Sequence, residues 1–188
     1  MEKNKTLDVY GMVYCALFAA LIAIGAFIKI PVPNIPNTLQ FLFTNLAGLM
    51  LGRKKGLIAV CLYIFIGLTG IPVFAAGGGI DYIFRPTFGY IIGFAIGTWL
   101  AGFISEHREK TTKTYILAGL ANMAVVYTIG LVYFYLMSNF YLNKTINIQA
   151  LLLSGVVYCA PGDIFYCIAS GILVKRLQPI MTKRKART

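Results

Sequence analysis

Residues 158–170 read YCAPGDIFYCIAS, and the aspartate in this stretch, Asp163, follows Pro161 and Gly162 in a run otherwise built from apolar and aromatic side chains. A carboxylate is a strong hydrogen-bond acceptor, and in apolar surroundings it is costly to keep unless it faces a cavity or a partner. Few other polar groups share its end of the apolar segments. Asp81 and Arg85 lie in GGGIDYIFRP, Asn34, Asn37, Thr38 and Gln40 lie in IPVPNIPNTLQ, and Tyr82, Tyr90, Tyr158 and Tyr166 are close to one or other of these stretches. A handful of polar groups converging in an apolar pocket suits a small organic ligand, mostly apolar with hydrogen-bonding ends. Gly77, Gly78 and Gly79 either let backbone approach such a ligand closely or form a tight turn.

Other chemistries lack their residues. GRKKG at positions 52–56 is not the Gly-rich cradle ending in Lys-Ser or Lys-Thr that binds nucleotide phosphates. The single histidine, His107, sits in SEHREK, remote from Asp163 and its neighbours, so a nucleophile–base pair is not expected and the chain does not read as an enzyme. No spread of His, Cys, Asp and Glu suggests a metal site. Cys15, Cys61, Cys159 and Cys167 all fall inside apolar runs without paired spacing and read as packing residues.

The elements that must position these groups follow from composition. With 59% apolar and only 12% charged residues the chain lies outside the range of soluble domains. Its polar stretches are short, so its 188 residues read as one transmembrane domain, 1–188. The net charge of +11 is interspersed between apolar runs instead of gathered on a water-facing surface, which argues against nucleic acid as a partner. Six apolar runs stand out, at 9–30, 39–51, 56–71, 88–105, 115–137 and 150–174. The first is too long for a secretory signal and reads as the first span. The second and third are too short for upright spans. The expected fold is therefore an all-α bundle of six transmembrane helices with some short or broken segments.

Lys and Arg divide unevenly between the two sides. Lys3, Lys5, Arg53–Lys55, Arg108, Lys110, Lys113 and the C-terminal cluster from Lys175 to Arg187 share one side, against Lys29, Arg85 and Lys144 on the other. This bias predicts cytoplasmic termini. The three outer connections are apolar, aromatic and rich in Pro, Gly and Asn, as expected of packed loops around a site, because irregular backbone at membrane depth needs protein or a polar cavity to satisfy it. Pro suits the first turn of a helix, so the last span is expected to restart at Pro161–Asp163. If Arg176 marks the cytoplasmic boundary, Asp163 lies ~20 Å away along the helix, about 10 Å below the outer boundary. There it either caps its own helix or faces a substrate, as broken helices do in several transporter folds.

The order IPVPNIPNTLQ, LAGLMLGRKKG, GLTGIPVFAAGGGIDYIFRPTFGYIIGF and APGD resembles the biotin-binding S components of energy-coupling factor (ECF) transporters, the BioY family, over nearly the whole chain. The resemblance implies a prokaryotic plasma-membrane protein that binds biotin near the outer face. Its partners would be a transmembrane scaffold and two ATPase subunits, with ATP used by those partners and no cofactor in this chain. Asp163 corresponds to the ligand-binding aspartate of the PGD motif, and its carboxylate suits the two N–H donors of a ureido ring. Tyr82, Arg85 and Tyr90 are implied pocket positions, Gln40 and its loop a gate, and Asp81, Gly78 and Tyr166 further candidates. Members carry a Lys three residues after the aspartate, where this chain has Tyr166, so Arg85 is the cation expected to receive the biotin carboxylate. Ala16 and Ala20 repeat at i, i+4 and let another helix approach closely, which in S components is the face toward the scaffold. Gly89, Gly93 and Gly97 form a similar face, assigned to internal packing. Two rivals stand beside this reading: a secondary transporter in which Asp163 takes up a proton, and a membrane interaction protein.

Overall fold

The computed structural model describes residues 9–30 and 37–185, with side chains described for all of these but residues 30, 37 and 178–185. Asn34 and the Asn37 side chain thus lie outside the described residues. The fold is all-α. Its helices are α1 (Val9–Phe27), α2 (Gln40–Leu68), α3 (Phe88–His107), α4 (Thr112–Leu136), α5 (Ile148–Leu152) and α6 (Ala160–Lys185). Single π-helical turns continue α4 over Met137–Tyr141 and α5 over Leu153–Val157, and a 3-10 turn spans Ile80–Phe84. The connection from α1 to α2 begins and ends in a two-residue antiparallel ribbon, β1 (Lys29–Ile30) against β2 (Asn37–Thr38).

Among the described residues, four helical stretches are long and apolar enough to cross a membrane: Val9–Phe27, Phe88–His107, Thr112–Tyr141 and Ile148–Leu177. The remaining apolar runs, 39–51 and 56–71, supply the two arms of α2, which is broken at Gly52 (φ 81°, ψ 176°). That φ is in the left-handed region that a glycine adopts without penalty. The break folds the chain back on itself. A Cβ at Gly56 would stand 3.0 Å from the Ala47 carbonyl oxygen, whereas in a straight helix nine residues span ~13 Å. Glu106 locks the corner from α3: one carboxylate oxygen accepts from the Arg53 amide at 3.0 Å and the other pairs with Arg53 Nε at 3.2 Å.

Small residues set the helix spacing in the bundle, because apolar side chains alone gain little by leaving lipid for protein. A Cβ at Gly93 would lie 2.9 Å from Val126 Cα, and one at Gly97 only 2.0 Å from Asn122 Oδ1, so α3 and α4 touch closely through this glycine face. The internal-packing assignment of Gly93 and Gly97 holds. On α1, Cys15, Phe18, Ala19 and Ile22 turn inward while Ala16 and Ala20 are exposed beside Val13, Leu17 and Ile24.

Candidate ligand-binding site

A cavity opens between the helices at the end that carries the α1–α2 and α2–α3 connections. Its wall combines Thr38 from β2, Gln40 and Phe41 from the start of α2, Ala75 and Tyr82 from the α2–α3 connection, Thr87 just before α3, and Tyr90, Ile91 and Phe94 from α3. Val126 and Tyr127 from α4, and Gly155, Cys159 and Asp163 from the final irregular turn and α6, complete it. Thr87, at the N-cap, and Tyr90, Ile91 and Phe94 repeat at helical spacing, so the start of α3 presents two hydroxyl-bearing and two apolar side chains to the cavity.

Asp163 is 4% exposed. The helix restarts where the sequence predicts: α6 begins at Ala160, and the Asp163 amide donates to the Cys159 carbonyl at 3.1 Å, so Asp163 stands in the first turn. Its carboxylate does not cap that helix. Oδ2 accepts from Tyr127 Oη at 2.5 Å, and Oδ1 is buried without a hydrogen-bond partner. Tyr90 Oη is the other buried, unpartnered side-chain oxygen on the cavity wall. Gly130 makes room for the Tyr90 ring, since a Cβ there would fall 2.4 Å from ring carbon Cδ1. Polar atoms left unpaired in a buried, mostly apolar recess cost of the order of 1–3 kcal/mol each, a cost a complementary ligand relieves.

Gln40 also lines the cavity, but both ends of its amide are engaged. Oε1 accepts from Thr38 Oγ1 at 2.9 Å, and Nε2 donates to Tyr63 Oη at 2.5 Å, which itself donates to the Val73 carbonyl at 3.3 Å. This chain of bonds ties the α1–α2 connection to the α2–α3 connection. Tyr82, 3% exposed, is held between Phe74 (ring centroids 4.6 Å apart) and Phe88 (6.5 Å), and the Arg85 guanidinium lies 5.2 Å from its ring.

The structure therefore brings Asp163, Tyr82, Tyr90 and Gln40 together and leaves four other candidates off the cavity wall. Arg85 and Asp81 are exposed, as hydration of a charge favours. Tyr166 is half-buried beside Phe165 and packs against the apolar core. Gly78 approaches protein backbone instead of the cavity: a Cβ there would fall 2.2 Å from the Ile71 carbonyl oxygen. Among the described residues, no Lys or Arg lines the cavity. Tyr127, whose hydroxyl donates to the Asp163 carboxylate, is not among the residues singled out from the sequence; its signal was the general requirement that an intramembrane carboxylate have a partner. Cys159 proves to be a wall residue, and Cys61 is exposed on the outer face of α2.

Four membrane-length helices around a recess lined by one carboxylate and several hydroxyls describe a multi-pass membrane protein with a candidate site for a small, partly polar molecule. Comparison with known proteins makes the class specific. The BioY family model matches residues 1–183, and the chain belongs to that family. It is 40% identical over 187 residues to a probable biotin transporter BioY of Lysinibacillus sphaericus, covering 99% of this chain and 94% of that one. It is 32% identical to the biotin transporter BioY of Thermotoga maritima, over 92% of this chain and 98% of the relative. The fold matches a crystal structure of the S component for biotin from an ECF-type ABC transporter with a TM-score of 0.78 at 27% identity, over 95% of each chain.

Proposed function

We propose that this chain captures biotin in the cavity beside Asp163 and takes part in its uptake as the S component of an ECF transporter. The observation that carries the reading is Asp163 Oδ1, a buried acceptor on the cavity wall with no partner among the described residues. The ureido ring supplies N–H donors for it, Tyr90 Oη offers a second polar contact, and Phe41, Ile91, Phe94 and Val126 bury the apolar part of the ligand. With no cation on the wall, the valerate carboxylate is assigned to the mouth, where Arg85 stacks on Tyr82. The names carried by the relatives support biotin over another vitamin.

Partner subunits hydrolyse ATP in this account: a transmembrane scaffold and two ATPases. Ala16 and Ala20 form the docking face for the scaffold, which their exposure on α1 supports. Both termini are cytoplasmic, as the Lys and Arg distribution predicts. Purified chain from cells grown with biotin should release biotin on denaturation, detected by mass spectrometry, and should rebind it with one-to-one stoichiometry. A chain that carries no biotin and binds none overturns the reading.

A further inference from the structure

Below the cavity, the three helices that supply Gln40, Tyr127 and Asp163 are joined by buried side chains. Asn45 Nδ2 donates to Ser170 Oγ at 2.7 Å, and Asn122 Nδ2 donates to Asn45 Oδ1 at 3.3 Å. Ser170 Oγ donates in turn to the Cys167 carbonyl at 3.1 Å. All three side chains are 0% exposed. Glycines shape the surroundings: a Cβ at Gly119 would stand 2.9 Å from Asn45 Nδ2, and one at Gly97 would strike Asn122 Oδ1. The spacing along each helix is similar. Asn45 follows Gln40 on α2 and Asn122 precedes Tyr127 on α4 by ~7.5 Å of helix, and Ser170 follows Asp163 on α6 by ~10 Å.

We infer that Asn45, Asn122 and Ser170 form a register clamp that sets the height and rotation of α6 against α2 and α4, and so holds Asp163 on Tyr127 with its second oxygen turned to the ligand. These are positioning residues; none of them lines the cavity. Apolar contacts between helices are non-directional and tolerate sliding, whereas a buried hydrogen-bonded amide selects one register. Such a device is needed here because the chain leading into α6 is irregular. A π-helical turn over Leu153–Val157 and a further turn precede Ala160, so within the stretch Ile148–Leu177 the regular α-helical register is interrupted just before α6. Below Asp163 the α-helix is regular, and Ser170 is a buried hydroxyl on that side bonded to another helix.

The inference rests on the reading of the cavity as the biotin site, and the test separates the two. Biotin affinity of the full chain in lipid nanodiscs is measured by calorimetry for the parent, Ser170→Ala, Tyr127→Phe and their combination, with Asp163→Asn alongside and melting temperatures recorded without ligand. Ser170→Ala should weaken biotin binding by about 3- to 10-fold, the effect of one ordinary hydrogen bond. In the Tyr127→Phe background the same change should cost less than about twofold, because the contact that the clamp holds in place is already gone. Ser170→Thr, which keeps the hydroxyl, should bind like the parent. Asn122→Ala in the same cycle provides the second variant if Ser170→Ala does not purify. A lowered melting temperature with unchanged affinity, or equal weakening in both backgrounds, overturns the clamp while weakened binding in Asp163→Asn leaves the site standing. Undiminished binding in Asp163→Asn overturns the site, and the clamp with it.

Discussion

The two ends of the bundle treat their polar groups in opposite ways. At the Gly52 corner every charge is satisfied or solvated: Glu106 accepts from the Arg53 amide and pairs with its guanidinium, and both side chains are more than a third open to their surroundings. At the cavity end an aspartate and a tyrosine are buried with oxygens left unpaired. The corner is finished as folded, since its hydrogen bonds close on themselves around a backbone bend. The cavity end is complete only when something else supplies the missing partner. The proposed site rests on that difference at the cavity wall, where Asp163 Oδ1 and Tyr90 Oη are both unpaired.

The largest expected effect breaks the unfinished end. Asp163→Asn keeps the shape but removes the charged acceptor, and a hydrogen bond to a charged group contributes about 1.5–3 kcal/mol. Biotin affinity should fall by roughly tenfold to a few hundredfold, read by calorimetry, with little loss of melting temperature. The opposite pattern is expected of Gly52→Ala. The new side chain would be strained at φ 81° and would fall 2.2 Å from Glu106 Oε1, so stability should drop by about 1–3 kcal/mol while the folded fraction binds biotin normally. Equilibrium denaturation and calorimetry on the same preparation separate the two quantities.

Smaller effects sharpen the comparison. Glu106→Gln removes an exposed ion pair and should cost less than about 1 kcal/mol of stability with no change in affinity. Arg85→Ala should weaken biotin by a few-fold and biotin amide hardly at all, as an exposed cation near a carboxylate contributes little. An unchanged preference between acid and amide in Arg85→Ala would remove Arg85 from the site.

Much of this was legible in the sequence, and the gaps have physical causes. The six apolar runs map onto the helical segments, and the restart of the last helix at Pro161 followed from the proline's missing N–H. That the second and third runs would meet in a one-residue corner was not readable, because GRKKG resembles any short charged loop; the deciding interaction, Glu106 on the Arg53 amide, comes from a distant helix. Asp163 stood out because a carboxylate in an apolar run demands a reason. Tyr127 did not, since α4 is apolar on nearly every face in a membrane and carries no periodic stripe to mark its inward side. Arg85 and Asp81 drew attention by their charge, yet an unpaired charge gains more from water than from a recess, and both remain outside. The π-helical turns at Met137–Tyr141 and Leu153–Val157 use the same residue types as the helices they extend and left no trace in composition.

The central claim is that biotin occupies the recess beside Asp163, and occlusion tests it most directly. Ala75 is half-buried on the cavity wall in the α2–α3 connection, outside the packed helices, so a larger side chain there fills the recess without displacing the core. Ala75→Trp, in nanodiscs and with an unchanged melting temperature, should show no saturable biotin binding while the parent binds one biotin per chain. Parent-like affinity in Ala75→Trp would contradict it and place the ligand elsewhere on the protein.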